Sequence, residues 1–195
     1  SLTVDVLKEY QGRVKVAPAP EPSAHLPLPR QLQKEVLEKI ATARDEGISK
    51  GLVVMATGLG KTYLSAFDFQ QHGGKRALFV AHREEILQQA AGTWSQVFPD
   101  ATIGFLVANR REPEAELVFA SVQTLSRLAH LAKFDATHFD YIVIDEFHHA
   151  AANSYKKLLS HFSPQFMLGL TATPNRTDGK ALLSLCDGNL IVSIG

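Results

Sequence analysis

The chain has 195 residues, 45% of them hydrophobic, and its 20 lysine and arginine residues balance its 20 aspartate and glutamate residues. This length and apolar content suffice for one domain with its own core. Because the net charge is zero, the chain is not a basic module that binds nucleic acid through its overall positive charge. Cys186 is the only cysteine, which favours a cytoplasmic protein. No apolar run approaches the roughly 18 residues of a membrane span, so we expect no membrane contact.

The N-terminal part differs in composition from the rest of the chain. Five of the nine prolines lie between Pro18 and Pro29. Prolines at this density favour an extended spacer over a packed domain. We therefore expect residues 1–27 to form an N-terminal segment with a proline-rich linker, and residues 28–195 to form the folded domain.

Within that domain, helical and strand patterns alternate along the chain. Amphipathic periodicity predicts helices at Arg30–Ala43, Lys61–His72, Glu84–Val97, Val122–Leu131, Ala152–His161 and Gly179–Leu185. Short apolar runs predict strands near Gly51–Met55, Arg76–Ala81, Ala101–Val107, Leu117–Ser121, Tyr141–Asp145, Phe166–Thr171 and Leu190–Ile194. The polar residues 109–114 are interpreted as a solvated turn. Alternation of this kind predicts an α/β fold with a mostly parallel sheet flanked by helices on both faces.

A glycine-rich loop joins the first predicted strand to the helix that begins at Lys61. Its residues are typical of a phosphate-binding loop: Thr57, Gly58, Leu59, Gly60, Lys61 and Thr62. Glycines let the backbone curl so that its N–H groups face an anion at a helix N-terminus. The lysine can reach terminal phosphates, and the Thr62 hydroxyl can bind Mg²⁺. Met55 stands where the longest form of the motif has a further glycine.

Two carboxylates follow the apolar strand that begins at Tyr141. Asp145 and Glu146 lie at its C-terminal end, the edge at which parallel sheets bind ligands. Phosphoryl transfer needs charge neutralisation and a positioned water. We expect Asp145 and Thr62 to hold Mg²⁺, and Glu146 to orient and deprotonate the attacking water. His148 and His149 lack the spacing of a zinc site, so we do not expect them to bind metal.

Six segments in this order resemble the motifs of superfamily-two helicases, over about residues 28–195. The loop ATGLGKT is similar to motif I, DEFH to motif II of the DExH group, and LTATP at Leu170–Pro174 to motif III. The segments VAHRE and ASVQTL are similar to the two motifs that contact nucleic acid, and Arg30–Gln33 is similar to the motif that recognises adenine. The continuation into GLTATPNRTDG is closest to the helicase-like subunits of restriction-enzyme motors.

The resemblance implies a RecA-like P-loop NTPase domain that binds ATP and Mg²⁺, with roles for individual residues. Gln33 contacts the adenine edge with Arg30 nearby, although Leu32 replaces the aromatic residue common before that glutamine. His148, Thr171 and Thr173 couple the nucleotide state to nucleic acid.

The residues implied to contact nucleic acid are Arg83, Gln123 and Thr124. Two alternatives stay open for them. Arg83 is equally typical of a solvated helix face, and the other two of a helix cap. Trp94 and Phe98, four residues apart, are interpreted as core residues.

By this resemblance the chain is the ATP-binding half of a helicase or translocase acting on nucleic acid, and we expect double-stranded DNA. The expected partners are a second RecA-like domain, beginning beyond Gly195 and supplying catalytic arginine, and a nuclease domain or subunit. Without that second domain we expect the chain to hydrolyse ATP barely above background. The alternative is a nucleotide-binding or DNA-docking module of a restriction or repair assembly that never separates strands.

Overall fold

The computed structural model describes residues 26–145, 152–172 and 177–195. Its strands are β1 (Lys50–Met55), β2 (Ala77–Ala81), β3 (Ile103–Val107), β4 (Arg110–Arg111), β5 (Leu117–Ser121), β6 (Tyr141–Asp145), β7 (Phe166–Thr171) and β8 (Leu190–Ile194). They form one sheet in the order β4-β3-β5-β2-β6-β7-β1-β8. The strands pair in parallel except for β3 with β4, which are antiparallel.

Helices cover both faces of this sheet. They are α1 (Gln31–Asp45), α2 (Lys61–His72), α3 (Glu84–Val97), α4 (Val122–Leu125), α5 (Leu128–Leu131), α6 (Ala152–His161) and α7 (Thr177–Leu185). One core lies between the sheet and α1–α3, and the other between the sheet and α4–α7. Successive strand residues alternate between the cores: Val53 belongs to the first, and Leu52 and Val54 to the second. The predicted α/β class with helices on both faces is confirmed, as is burial of Trp94 in the first core.

Two element predictions were wrong. The residues Arg110–Arg111, interpreted as part of a solvated turn, form the short edge strand β4 against the end of β3. Both side chains are exposed, so no apolar pattern marks the strand. The helix predicted over Val122–Leu131 is divided into α4 and α5. Leu125 and Leu131 are buried in the same core. In one continuous helix, residues six apart point about 120° away from each other, so a break between the two leucines lets both face that core.

A buried ion pair joins α1, α2 and the starts of two central strands. Arg44 Nη1 lies 2.6 Å from Asp68 Oδ2, and the Asp68 side chain is fully buried. Tyr141 at the start of β6 donates its hydroxyl proton to the same oxygen at 2.5 Å. The Arg44 guanidinium also lies 4.9 Å from the ring centre of Phe166, the first residue of β7. Burial, and then the negative charge of Asp68, raise the pKa of Tyr141 well above its ordinary value, so its hydroxyl stays protonated.

None of the helices in the described ranges has the length and apolar content that crossing a bilayer requires.

Replacing one partner of the buried pair should destabilise the domain. Asp68→Asn leaves the Arg44 charge without its carboxylate, and breaking a buried pair from one side costs about 3–5 kcal/mol. The matched control is Asp187→Asn. Asp187 lies 4.0 Å from Lys50 at the surface, and asparagine tolerates its positive φ of 57°. The control should change the free energy of unfolding by no more than about 0.5 kcal/mol. Urea titration measures both, and equal losses would contradict the role of the pair.

Candidate nucleotide-binding site

The glycine loop curls because two of its residues adopt the left-handed region. Gly58 has φ 87° and Gly60 has φ 83°, which a residue with a Cβ adopts only with strain. Gly60 is the N-cap of α2, and its carbonyl accepts the first helical bond from Leu64 N–H at 2.9 Å. The helix therefore begins directly after the loop, and its N-terminus faces the side from which an anion can bind.

A cavity of about 820 Å³ lies over this loop. It is lined by most of the residues predicted to hold the nucleotide and its metal: Arg30, Gln33, Thr57, Gly58, Gly60, Lys61, Thr62 and Asp145. That volume falls within the range of small-molecule and cofactor sites. Leu59 is the exception, because its side chain packs against the core beneath α1–α3.

The strand β1 supplies the start of the loop. Met55 is the last residue of β1 and is fully buried. The longest form of the motif has a glycine at this position, but here Met55 still belongs to the strand. The loop therefore begins to curl only after Met55. The Lys61 amine donates a hydrogen bond to the Met55 carbonyl at 3.2 Å. The ammonium group therefore already lies across the loop, within reach of an anion in the cavity.

Two oxygen donors suited to Mg²⁺ line the cavity from different strands. Thr62 follows the loop after β1, and Asp145 ends β6, with β7 lying between these strands in the sheet. Asp145 is only 5% exposed, so most of its surface is already removed from water. A hydroxyl and a carboxylate are ligands that Mg²⁺ takes alongside phosphate oxygens. The donor set therefore fits this ion.

The side chain of Gln33 connects α1 to the glycine loop. Its Oε1 accepts a hydrogen bond from the Arg30 backbone N–H at 2.9 Å, and its Nε2 donates to the Gly60 carbonyl at 3.1 Å. Gln33 is only 4% exposed, whereas Arg30 is exposed at the cavity rim. The predicted adenine contact stays a prediction. What the structure adds is that the same amide stabilises the loop.

The residues predicted to contact nucleic acid come together at the carboxyl ends of two neighbouring strands. β2 and β5 pair in register with Ala81 opposite Ser121. Arg83 is the exposed N-cap of α3, and Gln123 at the start of α4 is exposed and donates to the His82 carbonyl at 3.2 Å.

Gln123 Nε2 also contacts His82 Nδ1. Thr124 is 6% exposed, and its backbone N–H donates to the Ser121 hydroxyl at 3.3 Å. Its side chain therefore has little free surface, and its main contribution here is to the cap of α4.

The remaining predictions divide between described and undescribed residues. Thr171 ends β7 and is 9% exposed. Glu146, His148 and Thr173 lie outside the described residues. Sequence reasoning missed Tyr63, Gln89 and Thr93, which line the cavity from α2 and α3. The spacing of four residues between the last two places them on one helix face, but no motif marks that face as part of a site.

Comparisons with known proteins agree with this geometry. Residues 27–176 match the family model described as "Type III restriction enzyme, res subunit". The chain is 30% identical over 178 residues to the putative ATP-dependent helicase IRC3 of Saccharomyces cerevisiae, covering 83% of this chain and 26% of that protein. It is 33% identical over 162 residues to the type I restriction enzyme EcoAI endonuclease subunit of Escherichia coli, covering 76% of this chain and 20% of that one.

Among solved structures, the fold is similar to the Hef helicase domain of Pyrococcus furiosus, with a TM-score of 0.68 and 22% identity. That match covers 86% of this chain and 38% of the other. The likeness confirms the RecA-like α/β fold. The chain spans about a quarter of the length of the yeast relative and a fifth of the bacterial one.

The contact between Gln33 and the loop predicts a specific coupling between Gly60 and Gln33. A Cβ at Gly60 would lie 2.6 Å from Gln33 Nε2, so Gly60→Ala should displace the amide in addition to straining the backbone. The control is Gly73→Ala at the other end of α2, where φ is 74° and no atom lies within 4 Å of the added Cβ. Both should lose about 1–2 kcal/mol of unfolding free energy to the left-handed conformation.

Gly60→Ala should lose about 1 kcal/mol more, the value of a typical hydrogen bond. In a Gln33→Ala background this excess should disappear, because no amide remains to be displaced. Urea titration of the four variants completes the double-mutant cycle. If the cost of Gly60→Ala is the same in both backgrounds, Gln33 does not stabilise the loop.

Proposed function

The chain belongs to the family described as type III restriction enzyme, res subunit, and from this we propose that it is the ATP-binding half of a nucleic-acid-dependent ATPase motor. The observation that carries the proposal is the cavity in which the α2 N-terminus, Lys61, Thr62 and Asp145 converge. A helix N-terminus, a lysine and two oxygen donors are together what a nucleoside triphosphate with Mg²⁺ needs. The yeast relative is named as ATP-dependent.

Phosphate binding is the first step of the proposed mechanism. We expect the N–H groups at the start of α2 to face the β- and γ-phosphates. The Lys61 amine, which donates to the Met55 carbonyl, would donate to the terminal phosphate oxygens in a charge-assisted hydrogen bond. When bound, Mg²⁺ neutralises charge that develops on these oxygens. Thr62 and Asp145 are the residues that would hold it.

The remaining chemistry depends on a water and on the base. We assign Glu146 to orient the attacking water and accept its proton, since it follows directly after the buried Asp145. Gln33 and Arg30 face the adenine end of the cavity. His148, Thr171 and Thr173 would transmit the state of the nucleotide to the nucleic acid and to a second RecA-like half. That half would supply the arginine that phosphoryl transfer in such motors requires.

Nucleic acid would run along the carboxyl ends of β2 and β5. Arg83 and Gln123 are exposed there, and both side chains can donate hydrogen bonds to phosphate oxygens. We propose double-stranded DNA as the substrate. The second candidate is a motor that moves along DNA without separating its strands. The similarity to a restriction endonuclease subunit favours this candidate. Strand-displacement and translocation assays on the longer protein distinguish the two.

The ATP site is tested by separating binding from hydrolysis. Lys61→Ala should weaken binding of Mg²⁺ with a non-hydrolysable ATP analogue by about 10- to 100-fold, through loss of one charge-assisted contact worth about 1.5–3 kcal/mol. Glu146→Gln should bind the analogue normally. In a protein that includes the second half, it should hydrolyse ATP at least about 10²-fold more slowly.

Calorimetric titration of the chain measures the binding, with Lys75→Ala as control because that lysine is exposed and outside the cavity. Unchanged affinity in a folded Lys61→Ala variant would refute the assignment of the loop. Full turnover in Glu146→Gln would refute only the assignment of the base.

A further inference from the structure

Three exposed cations gather near the edge of the sheet, beside the proposed nucleic-acid contacts. Arg111 lies on β4, Arg127 between α4 and α5, and Lys133 just after α5. All three act on His130: burial lowers the pKa of this histidine, and the charges of Arg111, Lys133 and Arg127 lower it further. The backbone agrees with this placement, since the His130 N–H donates to the Arg127 carbonyl at 2.8 Å and the Lys133 N–H donates to the His130 carbonyl at 3.2 Å. We call Arg111, Arg127 and Lys133 the edge cluster.

The charges of the edge cluster are not neutralised within the described part of the chain, where no ion pair includes any of the three. Arg110 next to them provides a contrast. It pairs with Glu112 at 2.8 Å, and its guanidinium lies 4.2 Å from the ring centre of Phe105. Hydrogen bonds from Arg110 and from the Phe105 N–H lower the pKa of Glu112, so this carboxylate is ionised and committed to Arg110.

The edge cluster continues a line that starts at Arg83 and Gln123. Arg83 follows β2 and Gln123 follows β5, while β3 and then β4 are the next strands outward. Arg127 comes four residues after Gln123, and Arg111 pairs with Leu106 near the carboxyl end of β3. Three strand spacings of about 4.8 Å, or about 14 Å, separate β2 from β4. Measured along the helix axis of duplex DNA, this distance covers about four phosphates of each strand, at about 3.4 Å of axis per phosphate.

A chain with zero net charge cannot hold DNA by overall attraction, so its contacts must be local. We propose that Arg111, Arg127 and Lys133 form a second phosphate-contacting surface, which extends the DNA path from Arg83 and Gln123 outward to β4. The proposal rests on the proposed function, because it assumes that DNA lies along the ends of β2 and β5. The edge cluster would lengthen the DNA-contacting surface beyond Arg83 and Gln123. It would also bind the duplex at residues that do not line the nucleotide site.

The test compares two triple variants that each lose three positive charges. The cluster variant is R111Q/R127Q/K133Q. The control is K39Q/K75Q/K180Q, whose lysines are exposed on α1, before β2 and on α7. Fluorescence anisotropy measures binding of the chain to a short labelled DNA duplex, and to one of its single strands, across a salt series. Thermal unfolding checks that each variant is folded.

The cluster variant should bind the duplex at least about tenfold more weakly at low salt, and the slope of log affinity against log salt should become shallower by about 2–3, or about 0.9 for each lost contact. The control should bind as the wild type does. Equal weakening in both variants would overturn the proposal, since bulk charge would then explain the loss. A loss confined to the single strand would also overturn it.

A further variant, Arg83→Gln, separates this proposal from the proposed function. If Arg83→Gln weakens duplex binding while the cluster variant keeps the affinity and salt slope of the wild type, the edge cluster is refuted and the path along β2 and β5 stands. If the wild-type chain does not bind duplex DNA even at the lowest salt, both are refuted.

Discussion

The side-chain amide of Gln33 holds the start of α1 against the last glycine of the phosphate loop, and the shape of the site depends on this contact. One end of the amide accepts from the Arg30 N–H and the other donates to the Gly60 carbonyl. Gly60 can meet it only because it is left-handed and carries no side chain. The start of α1 at the cavity wall and the glycine loop are thereby joined through one buried residue.

The same two helices are also tied at a second point. Arg44 near the end of α1 pairs with Asp68 in the middle of α2, and Tyr141 and Phe166 at the starts of β6 and β7 complete this contact. With α1 and α2 fixed at both points and packed on one core, the loop between β1 and α2 has a rigid frame. Rigidity matters here because catalytic groups must be held within a fraction of an ångström.

The sequence predicted the parts of the structure that depend on local pattern. Apolar runs gave the central strands, and the parallel arrangement then required the loop after β1 and Asp145 after β6 to face one cavity. It did not predict the bond between Gln33 and Gly60, which joins residues 27 apart through tertiary packing. The exposed strand β4 was missed because no apolar pattern marks it. The division of Val122–Leu131 was missed because it depends on which leucines are buried in the folded core. The roles of Glu146, His148 and Thr173 remain predictions.

A crystal structure of the chain with Mg²⁺ and a non-hydrolysable ATP analogue tests the nucleotide site most directly. If the proposed site is correct, the triphosphate lies over the start of α2, and the Lys61 amine has moved from the Met55 carbonyl to the phosphates. The Mg²⁺ ion should lie about 2.0–2.1 Å from the Thr62 hydroxyl oxygen, on the side of the cavity that Asp145 lines. Nucleotide bound elsewhere, with Lys61 still 3.2 Å from the Met55 carbonyl, would contradict it.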